Sequence, residues 1–167
     1  PVSKVIVAAP PGARFWLPSE DEWYKAAYYK GGGTEAEYWD YATQSDTYPT
    51  AEAPPGGSNS ANYGQVVGGH QITDVGSYLL ADSAYGTFDQ NGNVWEWTEA
   101  MLDPSYRGIR GSSWKNGAWS TLTSSFRFGI NPSTEADGVG FRVATVVPAP
   151  GAFFLASFGV SLSGWIL

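Results

Sequence analysis

The sequence predicts one loop-rich domain of short strands and few helices, followed by an apolar C-terminal segment. Composition supports this in two ways. The 167 residues include 21 Gly and 11 Pro, which favour turns over long helices. They also include 8 Trp, 10 Tyr and 8 Phe, and such large rings can fill a core where regular structure is sparse. Without its C-terminal segment the chain has the length of one ordinary domain.

One helix is signalled clearly near the start of the chain. Ser19 is an N-cap residue and Glu22 stands three positions later, which is the pattern of a capping box. Three acidic residues, 20–22, fall in the first turn, where they favour the helix dipole, so we interpret them as capping residues and not as a catalytic carboxylate pair. Apolar residues then recur at helical spacing up to Lys30, and the glycines 31–33 are expected to end the helix.

The rest of the domain is expected to be irregular. Residues 31–65 are rich in turn-forming residues, and we interpret them as an ordered loop anchored by aromatic side chains, since aromatic residues are too dense here for a disordered linker. Short strands are predicted at 94–98, 107–114 and 139–145. Aromatic and aliphatic residues alternate within these runs, and those expected in the core are Trp95, Trp97, Trp114, Phe141 and Val143.

The apolar run 151–167 predicts that the protein is directed to a membrane. It carries no charge, and as a helix it would span about 26 Å, close to the roughly 30 Å of a bilayer core. We therefore predict a domain at 1–145, a linker at 146–150 and a membrane-directed helix at 151–167. A buried C-terminal core helix is the alternative, because this length is at the lower limit for a span.

The charge and the first residue bear on partners and on processing. The net charge is −7 with a pI of about 4.5, and no basic cluster is present that could neutralise phosphates, so no nucleic-acid partner is expected. The absence of Cys leaves no disulfide and no thiolate metal site. The sequence opens on Pro1 with no signal peptide. We expect a trimmed or partial chain whose upstream part carries an export signal and further domain structure.

Six ordered segments carry a family resemblance. They are residues 15–23 (FWLPSEDEW), 60–63 (SANY), 73–78 (TDVGSY), 85–98 (YGTFDQNGNVWEWT), 110–114 (RGSSW) and 140–144 (GFRVA). In this order they resemble the motifs of the formylglycine-generating enzyme, or sulfatase-modifying factor, family. The resemblance implies an α+β fold of the C-type-lectin-like kind, and it implies that the N-terminal part of the usual family domain is missing. The tail resembles the bacterial PEP-CTERM sorting signal, although Ala149 replaces its usual Glu and its Arg cluster is absent.

The resemblance raises the question of redox chemistry, and the residues present argue against it. Family oxidases use a cysteine pair that binds copper(I), which needs soft thiolate ligands, and the corresponding stretch 115–121 contains none. The related sulfoxide-forming branch binds iron through three His. The only His here is His70, which we expect to be an exposed loop residue. Neither copper nor iron is therefore expected, unless missing sequence supplies the ligands.

A calcium site is the metal site that the resemblance does support. The family binds Ca²⁺ at the turn before the W-E-W motif. Carried over to this chain, the ligands are the carboxylates of Asp89 and Glu96 and the backbone carbonyls of Gly92 and Val94. Hard oxygen donors from a tight loop suit Ca²⁺. The alternative is that both carboxylates only cap turns or pair with arginines.

The stretch between the R-G-S-S-W and G-F-R motifs faces ligand in the lectin-like fold. Trp119 is therefore either a binding platform or a core filler, and Asn116 and Arg127 are further candidates for ligand contact. Arg127 and Arg142 match family arginines, and we expect them to tie loops to carboxylates or carbonyls more than to contact a ligand.

Three functions remain open. The first is a non-catalytic binding or structural module, exported and displayed on the envelope of a bacterium, with an unknown extracellular ligand and with sorting machinery and membrane as partners of the tail. The second is an enzyme, either an oxidase completed by missing sequence or an acid–base catalyst that uses Asp89, Glu96 or Asp137. The third is a retroelement-diversified receptor that varies residues 114–140. The absence of Cys disfavours the oxidase.

Overall fold

The computed structural model describes residues 12–68 and 72–145. His70, the linker 146–150 and the predicted apolar helix 151–167 lie outside these ranges. One α-helix, α1, is followed by eight short strands. Their bounds are α1 Glu20–Tyr28, β1 Tyr29–Gly31, β2 Glu37–Tyr38, β3 Thr50–Ala51, β4 Ser60–Ala61, β5 Trp95–Asp103, β6 Tyr106–Arg110, β7 Phe128–Ile130 and β8 Val139–Gly140. Short 3-10 helices occupy Gly33–Glu35 and Trp119–Leu122. In the described ranges no helix is long and apolar enough to cross a membrane.

The start of α1 is the predicted capping box. The Ser19 hydroxyl accepts a hydrogen bond from the Glu22 amide at 3.2 Å, and the Glu22 carboxylate accepts one from the Ser19 amide at 2.8 Å. The helix ends two residues earlier than the pattern predicted, because Tyr29 adopts an extended conformation and Lys30 joins β1. Gly32 follows with φ +94°, and a Cβ there would meet the Glu35 carbonyl oxygen at 2.4 Å. The glycines therefore shape the turn after β1 and not the helix end.

The strands form three small sheets. The largest has the order β7-β6-β5-β8 and is mixed, since β5 pairs antiparallel with β6 and parallel with β8. β1 pairs antiparallel with β2, and β3 pairs parallel with β4. The predicted strands at 94–98, 107–114 and 139–145 are thus present, with shifted ends. The strands β1, β2, β3, β4 and β7 were not predicted, because segments of two or three residues leave no periodic signal.

The core consists of two clusters that are joined through side-chain hydrogen bonds. One contains Trp23, Ala27, Tyr28 and Ala42, and the other contains Tyr41, Ala61, Tyr63 and Leu122. The Tyr28 hydroxyl and the Asn91 amide both donate to the Leu122 carbonyl, at 3.3 and 2.8 Å. Full burial raises the pKa of the Tyr28 hydroxyl well above its usual value, so this group stays neutral and acts as a donor. Aromatic rings do fill the core, as the composition predicted.

The predicted set of core residues on β5 and after β8 is largely wrong. Phe141 and Val143 are exposed, at 68% and 59%, while Trp95, Trp97 and Trp114 are half-buried. On β5 the buried face carries Glu96 and Thr98 instead, at 5% and 0% exposure. Alternation along a strand identifies two faces, but it does not identify which one is covered. Here α1 covers the polar face, and Trp23 supplies the hydrogen bond that makes burial of Glu96 tolerable.

Candidate functional site

The predicted metal-binding turn is a tightly held loop that leads into β5. Asp89, Gly92 and Asn93 have φ of +59°, +78° and +61°. The Gly92 and Asn93 amides donate to the carbonyls of Gly111 and Asn62, at 2.7 and 2.8 Å. A Cβ on Gly92 would meet the Asn62 carbonyl oxygen at 2.3 Å, so only glycine permits this close approach of two backbones. The loop is therefore fixed by its neighbours, and so are the positions of the carbonyl groups that it carries.

Asp89 places a partly desolvated carboxylate in this loop. Its Oδ2 accepts a hydrogen bond of 2.6 Å from the Gly76 amide. Desolvation by burial raises the pKa of Asp89 above its usual value, and the hydrogen bond from Gly76 and the charge of Arg142 offset part of that increase. Desolvation thus outweighs the neighbouring positive charge, and a cation at this carboxylate would relieve the cost of burial.

Glu96 is engaged differently, in a buried ion pair. The guanidinium of Arg142 donates from Nε to Glu96 Oε2 and from a terminal nitrogen to Oε1, both at 2.5 Å. The indole of Trp23 donates to Oε2, also at 2.5 Å. Arg142 further donates to the Phe88 carbonyl at 3.1 Å. This bidentate arrangement ties β5, the loop before it and the strand end after β8 together.

Asp89 and Glu96 nevertheless share one cavity. It has a volume of about 410 Å³, and its lining residues are Val75, Phe88, Asp89, Asn93, Val94, Glu96, Phe141, Arg142 and Val143. Three of the four predicted calcium ligands thus line a single space, and the fourth, Gly92, belongs to the same turn. The mouth of the cavity is apolar, because Val75, Phe141 and Val143 are 90%, 68% and 59% exposed.

The predicted donor set consists of oxygen atoms, and Asp89 is the less engaged of its two carboxylates. All four groups offer oxygen, which Ca²⁺ prefers. Asp89 is the carboxylate with fewer internal partners, whereas Arg142 already balances the charge of Glu96. A site with one uncompensated carboxylate would bind weakly, since calcium affinity rises with ligand charge. Across residues 12–68 and 72–145, no group of three or more His, Cys, Asp or Glu side chains could hold a metal ion by itself.

The three candidate ligand-binding residues have three separate sets of partners. Trp119 stacks on Tyr48 with ring centroids 5.8 Å apart, and it is 51% exposed, so the core-filler interpretation is wrong. Asn116 accepts hydrogen bonds from the Trp95 indole at 3.1 Å and from the Ser113 hydroxyl at 2.8 Å. Its side-chain oxygen therefore links β5 to the turn that follows β6.

Arg127, the third candidate, forms an ion pair with Glu20 at 2.8 Å. The other Glu20 oxygen pairs with Arg110 at 2.6 Å, and Arg110 also donates to the carbonyls of Ser124 and Phe126. Glu20 thus links the start of α1 to β6 and to the segment that leads into β7. Arg127 and Arg142 both bind carboxylates, which is the structural role expected for them.

Two features of the surface were missed in the sequence. Tyr48 is 60% exposed and forms an aromatic platform with Trp119, although the two are far apart in the chain. A second cavity, also of about 410 Å³, is lined mainly by hydroxyl and amide side chains from three segments within 43–47, 58–59 and 80–82. Neither feature corresponds to a motif, because each is assembled by long-range folding.

Comparison with known proteins identifies the family. The model of the sulfatase-modifying factor enzyme 1-like domain matches residues 3–147. The chain belongs to this family. Its fold, with few helices, short strands and a mixed sheet, is that of the family, as the resemblance predicted.

Relatives within the family differ in what their names say of activity. The inactive C-alpha-formylglycine-generating enzyme 2 of Mus musculus is 28% identical over 145 residues, covering 80% of this chain and 44% of that protein. The hercynine oxygenase of Mycolicibacterium thermoresistibile is 32% identical over 161 residues, covering 82% of this chain and 32% of that protein. The chain thus spans less than half of the curated relatives that it matches.

A solved structure gives a third comparison. The Treponema denticola variable protein 1 is 26% identical with a TM-score of 0.52, covering 78% of this chain and 47% of that one. The likeness extends across most of the described fold. The name of that protein refers to variability and not to catalysis.

Proposed function

We propose that this chain is a non-catalytic binding or structural module of the sulfatase-modifying factor enzyme 1-like family. The observation that carries the proposal is the buried ion pair of Glu96 with Arg142, reinforced by the Trp23 indole. A general acid or base must be free to exchange a proton with substrate. Glu96 is instead bound on both oxygens and serves to hold three segments together.

The other two carboxylates named for acid–base catalysis support different conclusions. Asp137 pairs with Lys115 at the surface, with side chains 63% and 47% exposed, and a hydrogen bond from Lys115 lowers the pKa of Asp137. This carboxyl is therefore ionised and exposed to solvent. Asp89 is the exception, since its pKa is raised inside a cavity, as in many catalytic acids. An enzyme that uses Asp89 is the second candidate function.

The small number of Cys and His residues available as metal ligands supports the absence of redox catalysis from the proposed role. The sequence contains no Cys and one His, so these residues cannot by themselves build a copper–thiolate or a three-His iron site. The name of the mouse relative, an inactive formylglycine-generating enzyme, agrees with this proposal. The name of the hercynine oxygenase keeps open an oxidoreductase completed by sequence outside this chain.

Metal loading tests this part of the proposal. The purified chain is incubated anaerobically with copper(I) or iron(II), freed of loose metal and analysed by elemental analysis. We expect metal well below one equivalent. Stoichiometric copper or iron that survives the washing step would contradict the proposal, because it would reveal a redox site that the ligand count does not account for.

A diversified receptor is a further candidate, and two observations favour it. Most residues between Lys115 and Asp137 are exposed, and they fall within the stretch 114–140 that such receptors vary. A protein with the likeness described above is named a variable protein. Sequencing of the gene region tests this candidate: a template repeat and a reverse transcriptase next to the gene would support it, and their absence would remove it.

Calcium is proposed as the structural cofactor of the module. Asp89 and the carbonyls of Gly92 and Val94 would hold the ion, and Glu96 would contribute through Oε1, which accepts a single hydrogen bond, from Arg142. Its charge would neutralise the desolvated Asp89 carboxylate and stabilise the loop before β5. The support for this proposal is that Asp89, Val94 and Glu96 line one cavity and that burial raises the pKa of Asp89.

Export and membrane retention are proposed from the sequence of the tail. The Pro-Ala-Pro motif at 148–150 and the uncharged run 151–167 would act as a PEP-CTERM-like sorting signal, placing the C-type-lectin-like domain at the envelope of a bacterium. The helical form of the run would make insertion marginal, since its Gly and Ser residues offset part of the favourable contribution of its aliphatic and aromatic side chains.

A further inference from the structure

The cavity lined by residues within 43–47, 58–59 and 80–82 lies apart from the acid-lined cavity at Asp89, with no lining residue in common. Its volume of about 410 Å³ falls within the roughly 300–1,000 Å³ of small-molecule sites. Six of its lining residues carry neutral hydroxyl or amide groups, and the remaining two are Leu80 and Asp82. The lining residues are Thr43, Gln44, Ser45, Thr47, Ser58, Asn59, Leu80 and Asp82.

The chemistry of this lining selects a kind of ligand. Hydroxyl and amide groups both donate and accept hydrogen bonds, and they do not attract ions strongly. The lining contains no cation, and the whole chain has a net charge of −7, so an anionic ligand such as a phosphate or a carboxylate is disfavoured. A neutral ligand rich in hydroxyl groups matches the lining best.

The wall of the cavity is preorganised by an internal network. Asn59 occupies the centre: its side-chain oxygen accepts from the Thr43 hydroxyl at 2.6 Å, and its amide donates to Thr47 and to the Tyr48 carbonyl. The Ser45 hydroxyl in turn bonds to the Thr47 hydroxyl at 2.9 Å. These bonds fix the positions of Thr43 and Thr47, whose hydroxyl oxygens keep lone pairs for a ligand.

Other polar groups of the cavity make few or no hydrogen bonds within the described part of the protein. Among the residues that the structure describes, the Ser58 hydroxyl and the Asp82 carboxylate make no hydrogen bond within the protein, and Gln44 uses only its amide nitrogen, toward the Asp82 carbonyl at 3.1 Å. Gln44 also has φ +55°, a conformation that is uncommon for a residue other than glycine and that recurs at functional sites.

An exposed aromatic pair is linked to the cavity lining through the backbone. Tyr48 follows Thr47 directly, and its carbonyl is bound by Asn59 at 3.3 Å. Its ring is 60% exposed and stacks on Trp119, which is 51% exposed. An exposed aromatic face offers an apolar surface with an electron-rich centre, which complements the C–H face of a sugar ring.

From these observations we propose that the cavity between Thr43, Ser58 and Asp82 binds a neutral saccharide, with the Tyr48–Trp119 platform contacting a sugar ring beside it. Hydroxyl and amide groups of the lining would exchange hydrogen bonds with the sugar hydroxyls, and the Asp82 carboxylate would accept two of them. This assignment names a ligand class for the binding role proposed above and therefore rests on it.

Ligand-detected NMR tests the assignment. The probes are the methyl glycosides of mannose, galactose, glucose and N-acetylglucosamine at millimolar concentration, with glucose 6-phosphate as the anionic comparison. We expect saturation transfer to at least one neutral glycoside and much weaker transfer to the phosphate. Ser58→Ala/Asp82→Asn should weaken binding about tenfold or more, since each lost hydrogen bond to a ligand lowers affinity several-fold.

A matched control and a second variant make the outcome decisive. Thr34→Ala/Glu37→Gln removes one hydroxyl and one carboxylate from exposed positions outside the cavity lining and should bind like the parent. Trp119→Ala should weaken binding several-fold and leave the melting temperature close to that of the parent. Ser58→Ala/Asp82→Asn changes side chains that are exposed or only partly buried, so it too should melt like the parent.

Three results would overturn the assignment: unchanged affinity in Ser58→Ala/Asp82→Asn, equal binding of glucose 6-phosphate, or no binding of any neutral glycoside by the parent. None of these three results bears on the proposed non-catalytic role, because metal loading and turnover measurements test that role separately. Conversely, turnover by the chain would overturn that role whether or not a sugar binds.

Discussion

Removal of Arg142 should destabilise the protein more than removal of the carboxylate that it binds. In Arg142→Ala, Glu96 keeps its charge at a side chain that is only 7% exposed, with the Trp23 indole as its remaining donor. Breaking a buried pair in this way costs roughly 3–5 kcal/mol. Because the Arg142 side chain is 24% exposed and water can reach the gap, we expect about 3 kcal/mol of lost unfolding free energy.

Glu96→Gln should cost less, about 1–2 kcal/mol. The amide keeps the shape of the side chain and an oxygen that can accept from Trp23 or Arg142, and the freed guanidinium can be hydrated in part. Urea unfolding followed by tryptophan fluorescence measures both variants, with the denaturant slope checked for constancy.

Lys115→Ala is the matched control for Arg142→Ala, because it removes the cation of an exposed pair with Asp137, and solvent screening leaves such pairs little effect on stability. If Arg142→Ala costs no more than Lys115→Ala, or less than Glu96→Gln, Glu96 is not buried as a charge and the argument for its structural role fails.

Three further predictions concern the loop and the tail. Calcium in hundredfold excess over Kd should stabilise the parent by about 2.7 kcal/mol relative to chelator. Asp89→Asn, which suits the positive φ of this position, should remove that response in thermal melts. Equal melts of the parent with and without calcium would eliminate the site. In chelator the folded-state pKa of Asp89 is raised, so its ionisation destabilises the fold as pH rises through that pKa. Asp89→Asn should therefore be more stable than the parent at pH 7 and equally stable below pH 3.8, the ordinary pKa of this carboxyl. A variant that is less stable than the parent at pH 7 would contradict this sign. Replacing Leu155 and Phe158 by Asp in a chain expressed with an export signal should move it from the membrane to the soluble fraction. Two central Asp residues raise the free energy of membrane insertion by about 5–7 kcal/mol. Identical fractionation of variant and parent would contradict the proposed role of the tail.

Local signals in the sequence predicted local structure well. The Ser19–Glu22 capping box needs only four residues and fixes the start of α1. The strand positions near 94–98 and 107–114 also followed from short patterns. The end of α1 did not, because Tyr29 and Gly31 pair with β2 and hold Lys30 between them. Lys30 then contacts Trp39 and Asp46, and no helix-end rule contains such contacts.

Features that depend on contacts between distant segments could not be predicted. Hydrophobicity favours Trp95 and Trp97 as the inward residues of β5, but Glu96 faces inward because Trp23 and Arg142, 73 and 46 residues away, supply its hydrogen bonds. The Tyr48–Trp119 platform and the polar cavity likewise join segments that share no motif. The family turn at 89–96 could be located in advance, because its glycine and carboxylates are contiguous.

The most direct test of the central proposal is a turnover measurement. The chain, loaded with copper(I) or iron(II) and supplied with oxygen, is incubated with a cysteine-containing sulfatase peptide, while an active family oxidase serves as the positive control. Oxygen uptake is recorded and the peptide is analysed by mass spectrometry. A non-catalytic module predicts unchanged peptide and background oxygen uptake with either metal. Peptide oxidised over several turnovers, with matching oxygen consumption, would contradict the account.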